Sequence, residues 1–192
     1  MKSLRRMLSL AALISLATLA VAESNPAKTT DQTAPSAAQK SFDTLKTLAG
    51  SWNGLVTVFP PQPDWKGNPR LHVTMRVTSR ANALVHEMQE AGTPLDPTKY
   101  DHPVTMFYVD NDHLTLVHYC DAGNRPRMVA RNSPDGKTIE FDFVDMSGGN
   151  KYGHMGHAVF TMIDANHHTE DWTYILPGDK PVRAHMDLRR AQ

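Results

Sequence analysis

Apolar and polar residues alternate along most of this chain. Every second residue is apolar over much of 70–79, and the same spacing returns within 138–145. Alternation with a period of two is typical of antiparallel strands that bury one face and leave the other in solvent. Followed along the sequence, with turn residues as boundaries, the pattern predicts strands near 52–59, 70–79, 82–90, 103–110, 113–120, 127–132, 138–145, 154–164, 167–176 and 181–190.

One short helix is expected before these strands. Phe42, Leu45 and Leu48 recur at helical spacing, and Gly50 follows as a stop signal. No helical stretch long enough for a crossover separates the strands, so each should pair with its neighbours in the chain. Closing such a meander removes its two exposed edges. The sequence therefore predicts an all-β fold, an antiparallel up-and-down β-barrel of roughly 8–10 strands with a short N-terminal helix.

Two connections are longer than ordinary hairpin turns. They run over 60–69 and 92–103, both contain several prolines, and they carry Trp65 and Tyr100 respectively. Loops of this length at the mouth of a barrel often act as lids, and ordinary surface loops are the alternative.

The first 22 residues have the layout of a secretory signal peptide. A basic start is followed by an apolar run over 7–19 and by Ala20-Val21-Ala22, which is a small-x-small cleavage pattern. The apolar run is shorter than the ~20 residues that span a bilayer. We expect cleavage after Ala22, no stable membrane insertion, and a periplasmic or secreted protein.

The segment over 23–41 has few large apolar side chains and predicts a disordered linker. The barrel domain is then expected over 42–192, a length that can bury a core without disulfide bonds. The single cysteine, Cys120, excludes an intramolecular disulfide and a cysteine-based metal cage. In an oxidising compartment this thiol should be buried and inert.

Charge argues against a nucleic-acid-binding protein. The chain has 20 basic and 20 acidic residues, and loss of the signal peptide would leave 17 basic residues, a net charge of about −3. A nucleic-acid footprint needs a concentrated basic face instead.

No sequence motif points to catalysis. The chain lacks a Gly-x-Ser-x-Gly elbow, a phosphate-binding glycine loop and a His-Glu-x-x-His pair, so we predict no catalytic residues. The ten histidines nevertheless require a test for a metal or haem site. His154 and His157 point to opposite faces of a strand, and the adjacent His167 and His168 diverge likewise. We therefore predict no metal site from these pairs.

The last three predicted strands bring polar residues to one face if two of their turns have two residues each. With Ala165-Asn166 and Gly178-Asp179 as these turns, His157 faces Tyr174 and Trp172 faces His185. That polar face carries His157, Glu170, Trp172, Tyr174 and His185. The opposite face carries Ala158, Phe160, Met162, Ile175, Val182, Ala184, Met186 and Leu188.

Two interpretations of these faces remain open. If the apolar face points inward, the polar face is a solvated ladder of cross-strand charge pairs. If the polar face points inward, its five residues form a ligand-binding site inside the barrel.

Another candidate is His118, in the predicted hairpin over 103–120. With Asn111-Asp112 as the turn, Thr105 pairs with His118 on a largely apolar face. His118 is then either a hydrogen-bonded core histidine or a ligand-binding residue. Because both faces of this hairpin are largely apolar, a lid loop or a second subunit could cover the outer one, which makes a homodimer possible.

The segment Gly50-Ser51-Trp52-Asn53-Gly54, after a short helix and at the start of the first strand, resembles the Gly-x-Trp motif of lipocalin-like calycin barrels. Those barrels place an Arg of the last strand over this Trp and against the backbone of the N-terminal helix. The resemblance implies that role for Arg189 or Arg190, and it implies a barrel able to hold a small molecule. The stretches 115–127 and 168–172 also look like exported bacterial domains of unknown function with a lipocalin-like barrel.

A neighbouring calycin family, the nitrobindins, binds haem through a His on the last strand. His185 is similarly placed, so this resemblance implies a haem-binding barrel with His185 as axial ligand. Our first hypothesis is an exported barrel that holds a small, largely apolar ligand without catalysis and without a cofactor. The haem-binding barrel is one alternative, and an envelope-interaction module with a packed interior is another.

Overall fold

The computed structural model describes residues 34–63, 67–131 and 135–192. In these ranges one helix precedes ten strands, and a short 3-10 turn joins the second strand to the third. The helix is α1 (Ala37–Lys46), and the strands are β1 (Gly50–Phe59), β2 (Arg70–Thr78), β3 (Ala83–Glu90), β4 (Val104–Asp110), β5 (His113–Tyr119), β6 (Arg125–Arg131), β7 (Thr138–Ser147), β8 (His154–Asp164), β9 (His167–Leu176) and β10 (Lys180–Arg190).

The strands form a closed antiparallel barrel. Each strand pairs with the strands before and after it in the chain, and β1 also pairs with β10. The sheet therefore has no free edge, which confirms the predicted all-β up-and-down barrel with its short N-terminal helix. Among the described residues, no helix is long and apolar enough to cross a bilayer.

The helix begins earlier than the sequence predicted. Ser36 caps it by accepting a hydrogen bond from the backbone N–H of Gln39 at 3.2 Å, so α1 starts at Ala37 rather than near Phe42. The boundary of the predicted linker over 23–41 is therefore corrected, because its last five residues are helical. Ala38 is buried against the core, which holds the first turn of the helix in place.

Some predicted features lie outside the described residues. The signal peptide over 1–22 and its cleavage site belong to this group, as does Trp65 in the first long loop.

Arg190 on β10 closes one end of the barrel over Trp52 on β1. Its guanidinium carbon lies 4.2 Å from the centre of the Trp52 ring. Its Nη1 and Nη2 donate to the backbone carbonyls of Ala49 and Thr47 at 2.9 and 3.2 Å, which satisfies acceptors left unpaired where α1 ends. Arg190 therefore takes the place that the resemblance implied, whereas the side chain of Arg189 is 64% exposed.

Two glycines allow the chain to pass close to this end. Gly50 has φ +135°, and a Cβ at this position would lie 2.5 Å from Nη1 of Arg190. At Gly54 a Cβ would lie 2.0 Å from the carbonyl oxygen of Asp187, because β1 and β10 run close together there. Any side chain at either position would force the strands or Arg190 to move.

The pairing of the last three strands differs from the predicted pairing by one residue. The turn between β8 and β9 has its predicted two residues, but a bulge at Ile163 shifts the register so that Ala158 faces Trp172. The turn between β9 and β10 has three residues rather than two, so Trp172 faces Ala184 instead of His185. The predicted pairs of His157 with Tyr174 and of Trp172 with His185 are therefore wrong.

This shift mixes the two predicted faces. β8 and β10 turn their apolar residues inward, which agrees with the interpretation that the apolar face points into the barrel. β9 instead turns its polar residues inward. The inward residues of β9 are His168, Glu170, Trp172 and Tyr174. The interior of the barrel therefore combines an apolar wall with a polar strand.

Aromatic rings fill the middle of the barrel. Phe107, Phe141, Phe160 and Trp172 pack with ring centroids 5.4 to 6.1 Å apart, in tilted and edge-to-face arrangements. All four side chains are buried, so this layer separates the Trp52 end from the opposite end of the barrel.

Candidate functional site

A cavity of about 480 Å³ opens at the end of the barrel opposite the Trp52–Arg190 contact. It lies where β1, β5 and β9 end and where β4, β8 and β10 begin, and we call this end the mouth. Apolar side chains from four strands form most of its wall, namely Val58, Met88, Met155, Val182, Ala184 and Met186. The volume falls within the range of roughly 300–1,000 Å³ that is usual for small-molecule sites.

The two long loops reach the rim of this cavity. Gln62 comes from the first loop, and Asp101 and Pro103 come from the second. Their place at the mouth agrees with the position that the sequence predicted for lid loops, because each contributes residues to the wall.

Three of the wall residues are methionines, Met88, Met155 and Met186. Their unbranched thioether side chains can adapt to ligands of irregular shape. The wall therefore favours a largely apolar guest over one specified by many polar contacts.

His118 is a polar group of the wall and has 1% of its surface exposed. Its Nδ1 lies 2.8 Å from the hydroxyl oxygen of Thr105, on the neighbouring strand as predicted. No hydrogen-bond partner in the described part of the chain contacts its Nε2. Burial, together with nearby His86, lowers the pKa of His118 to about 3, so the ring is neutral near neutral pH.

The rim carries two carboxylates, Asp101 and Asp121. The Oδ1 of Asp101 accepts a hydrogen bond from the backbone N–H of Asp121 at 3.1 Å, which holds the two residues together. Partial burial and the negative charge of Asp121 raise the pKa of Asp101. Burial raises the pKa of Tyr174 to about 12, with further contributions from Cys120, Asp121 and Asp101. Among the described residues, the cavity wall therefore carries two carboxylates and no lysine or arginine.

A buried polar network lies beneath the cavity, centred on Glu170. Nε2 of His86 and Nε2 of His168 each lie 3.0 Å from a carboxylate oxygen of Glu170, and the indole N–H of Trp172 donates at 2.9 Å. Burial alone would raise the pKa of Glu170, but the contacts with His86 and His168 outweigh it and hold the pKa far below its ordinary value.

This network fixes the floor of the cavity. Trp172 is part of the cavity wall, and its ring lies 5.4 Å from His118 and 5.6 Å from Phe160, measured between centroids. Below it, His168 packs edge-on against Trp52 at 4.3 Å. A continuous series of contacts therefore runs from the cavity floor to the closed end.

The structure brings four of the six predicted ligand-binding residues into the interior. His118, Trp172 and Tyr174 line the cavity, and Glu170 lies below its floor. The other two, His157 and His185, lie on the outer face. The single-residue shift in register is the physical reason for their separation, because neighbouring residues of a strand point to opposite faces.

His185 does not fit an interior haem. Its Nδ1 lies 2.7 Å from a carboxylate oxygen of Asp171, and both side chains are 50% exposed on the outer surface. A haem inside the barrel would need an axial histidine that points inward, so the role implied for His185 has no support in this geometry.

His157 belongs to an ion-pair network on the outer face. Its Nδ1 and Nε2 lie 3.1 and 3.3 Å from carboxylate oxygens of Asp142 and Glu140. These three groups are close enough to hold a metal ion, but Arg131 already pairs with both carboxylates. The guanidinium of Arg131 therefore already offsets the negative charge of these two carboxylates.

The sequence interpretation missed His86 and the pair Asp101 and Asp121. The alternation of Leu84, His86 and Met88 on β3 carried a signal for His86, because it places the histidine on an apolar, inward face. The two aspartates come from separate connections, and no local pattern showed that they meet at the mouth.

No protein-family model and no curated protein matches this sequence. Among solved structures, the chain is similar to Rv2717c from M. tuberculosis, with 16% identity and a TM-score of 0.59 over 79% of this chain and 98% of that chain. A DUF3598-family protein of unknown function from Nostoc punctiforme matches with 8% identity and a TM-score of 0.41, over 77% of this chain and 48% of that chain. At this level of identity, the likeness to Rv2717c supports the barrel fold alone.

Proposed function

We propose that this barrel binds a small, largely apolar molecule in the cavity at its mouth and does not convert it chemically. The observation that carries the proposal is the cavity of about 480 Å³ with a wall of aliphatic and methionine side chains. A barrel that only served as a scaffold would gain stability by filling this space, since voids forfeit packing energy. An open, adaptable interior is therefore better explained by a guest.

The polar groups of the wall favour binding over catalysis. Burial raises the pKa of the Cys120 thiol, so it remains protonated and weakly nucleophilic near neutral pH. Within the described chain, no hydrogen bond joins Cys120 to His118, which instead contacts Thr105. Glu170 is buried beneath Trp172, and its Oε1 contacts His168 while its Oε2 accepts a hydrogen bond from Trp172. None of these groups has the contacts of an activated nucleophile or base.

We infer that the barrel is of the calycin type. The support is the contact of Arg190 with Trp52 and with the backbone after α1, together with the close approach at Gly50 and Gly54. This arrangement joins the first and last strands at the closed end and leaves the other end free to admit a ligand.

Export to the periplasm or the medium is a further part of the proposal. It rests on the signal-peptide pattern over 1–22, and N-terminal sequencing of the protein from an extracytoplasmic fraction tests it. Homodimer formation through the hairpin of β4 and β5 also stays a prediction, which the mass of the purified protein in solution checks.

Native mass spectrometry of the protein purified from its own host tests ligand binding. We expect a non-covalent small molecule on the wild-type chain. Ala184→Trp places a large side chain in the cavity and should remove this added mass, whereas Arg183→Trp changes the exposed neighbour on the same strand and should retain it. Added mass that persists in Ala184→Trp, or none in the wild type, would contradict the proposal. A Soret band in the same preparation would identify the guest as haem instead.

A further inference from the structure

The charged side chains in the cavity wall are acidic. Asp101 and Asp121 lie in its wall, and no lysine or arginine of the described chain shares that wall. The basic residue whose charge acts on Asp101 is His102, which is not a wall residue. Two neighbouring carboxylates at an apolar opening repel each other, so a cation placed between them would be favoured.

A second, independent feature of the same cavity points to a polar group on the guest. His118 is buried and forms part of the wall, and among the described residues only its Nδ1 has a hydrogen-bond partner, Thr105. Its Nε2 is not one of the fully buried side-chain atoms that lack a partner, so it stays accessible from the cavity and can bond a guest. A guest that extends past the rim to Trp172 would pass this ring and could complete its hydrogen bonding.

We propose that the guest is an amphiphilic amine, with its ammonium group between Asp101 and Asp121 and its apolar body in the cavity. This inference rests on the proposed binding function. The apolar body would lie against Met88, Met186 and Trp172, which are part of the wall. A carboxylate-bearing guest would instead place a third negative charge at the rim, so fatty acids should be rejected.

Neutral amphiphiles provide the internal comparison. They would gain the same apolar burial but no attraction to the rim. The difference between an amine and an alcohol of equal chain length therefore isolates the contribution of the two carboxylates.

Calorimetric titration of the purified protein with octylamine, 1-octanol and octanoate tests the proposal. At pH 7 and low salt we expect octylamine to bind about tenfold more tightly than 1-octanol, and octanoate to bind more weakly than both. Added salt should weaken octylamine binding and leave 1-octanol binding unchanged.

Matched variants locate the effect. The double variant Asp101→Asn with Asp121→Asn removes both charges but keeps a carbonyl acceptor, and it should bind octylamine about tenfold more weakly with no change for 1-octanol. Glu87→Gln removes one exposed carboxylate from the outer face of β3 and should change neither affinity.

The outcomes distinguish this inference from the binding function. Equal or tighter binding of 1-octanol than of octylamine, abolished by Ala184→Trp, would overturn the amine and retain the cavity as a binding site. Failure of all three probes to bind, or binding that survives Ala184→Trp, would overturn both.

Discussion

The guanidinium carbon of Arg190 lies 4.2 Å from the centre of the Trp52 ring, which joins the last strand of the barrel to the first. Three backbone carbonyls, those of Thr47, Ala49 and Ala165, accept hydrogen bonds from the same guanidinium. One side chain therefore connects the helix terminus, the β8–β9 turn and the barrel wall. Because the geometry of the guanidinium allows all these contacts at once, a lysine cannot replace it.

Arg190→Ala should lower the free energy of unfolding by about 2–4 kcal/mol, through loss of the cation–π contact and of hydrogen bonds to three carbonyls. Arg190→Lys should recover less than half of this loss. Arg189→Ala is the control, and it should change stability by less than about 0.5 kcal/mol because its side chain is exposed. Urea unfolding measures all three. Equal stability of Arg190→Ala and Arg189→Ala would show that the closed end does not depend on this contact.

Gly54→Ala should be strongly destabilising, by about 2 kcal/mol or more, because the new Cβ would lie 2.0 Å from the Asp187 carbonyl oxygen. Gly149→Ala serves as a matched control, since no atom of the described residues, its two chain neighbours aside, lies within 4 Å of the position of its Cβ. That variant should be neutral or slightly stabilising. Thermal unfolding compares the melting temperatures of the two variants. Similar melting temperatures would refute the close approach of β1 and β10.

Acid should weaken the fold partly through His118. Its pKa is lowered from 6.5 to about 3 by burial and by His86. Between these two pH values, the unfolded chain therefore binds a proton at His118 that the folded chain does not bind. This contribution to stability is complete above pH 6.5 and is lost as the pH falls towards 3, by up to ~1.4 kcal/mol per pH unit. Glu170, whose folded pKa is also lowered, adds to the loss only as the pH falls through its unfolded value near 4.5.

His118→Gln should therefore flatten the fall in stability between pH 6 and pH 5, where Glu170 contributes little. His113→Gln, which changes an exposed histidine at the far end of the same strand, should keep the wild-type slope. Urea unfolding at pH 7, 6 and 5 measures these slopes. An unchanged slope in His118→Gln would mean that the ring is not held neutral in the folded state.

The single cysteine offers a probe of cavity occupancy. Cys120 is half-buried in the cavity wall with a raised pKa, so iodoacetamide at pH 7 should react about tenfold more slowly with the folded protein than with the urea-unfolded chain. Saturating 1-octanol should slow the reaction further, and it should have no effect on the rate in Ala184→Trp. Alkylation followed by mass spectrometry gives these rates. A rate indifferent to 1-octanol in the wild type would place the alcohol elsewhere.

The sequence predicted the barrel because its strands depend on local patterns, whereas the contact at the closed end was implied by the resemblance of the Gly-x-Trp segment. The alternation of apolar residues marks each strand, and a turn such as Asn111-Asp112 sets the pairing of Thr105 with His118 correctly. The Gly-x-Trp segment and an arginine near the end of the last strand can be recognised in the sequence alone. Only the choice between Arg189 and Arg190 required the structure.

The site was harder to predict because its register depends on single residues. A bulge at Ile163 moves the pairing of β9 with β8 by one position, and a three-residue turn at 177–179 does the same for β9 and β10. Each shift exchanges the inner and outer faces of β9 relative to that neighbour. For this reason the predicted register places His157 and His185 on one face with Glu170, although they lie on the outer surface. The partnership of Glu170 with His86 spans 84 residues and has no local signal.

The most direct test of the proposed binding function is a crystal structure of the protein grown with 1-octanol. We predict density for the alcohol between Trp172 and the rim at Asp101, in contact with Met88 and Met186, while the barrel stays closed by Arg190 over Trp52. Side chains that fill the cavity, or alcohol found only on the outer surface, would contradict the account.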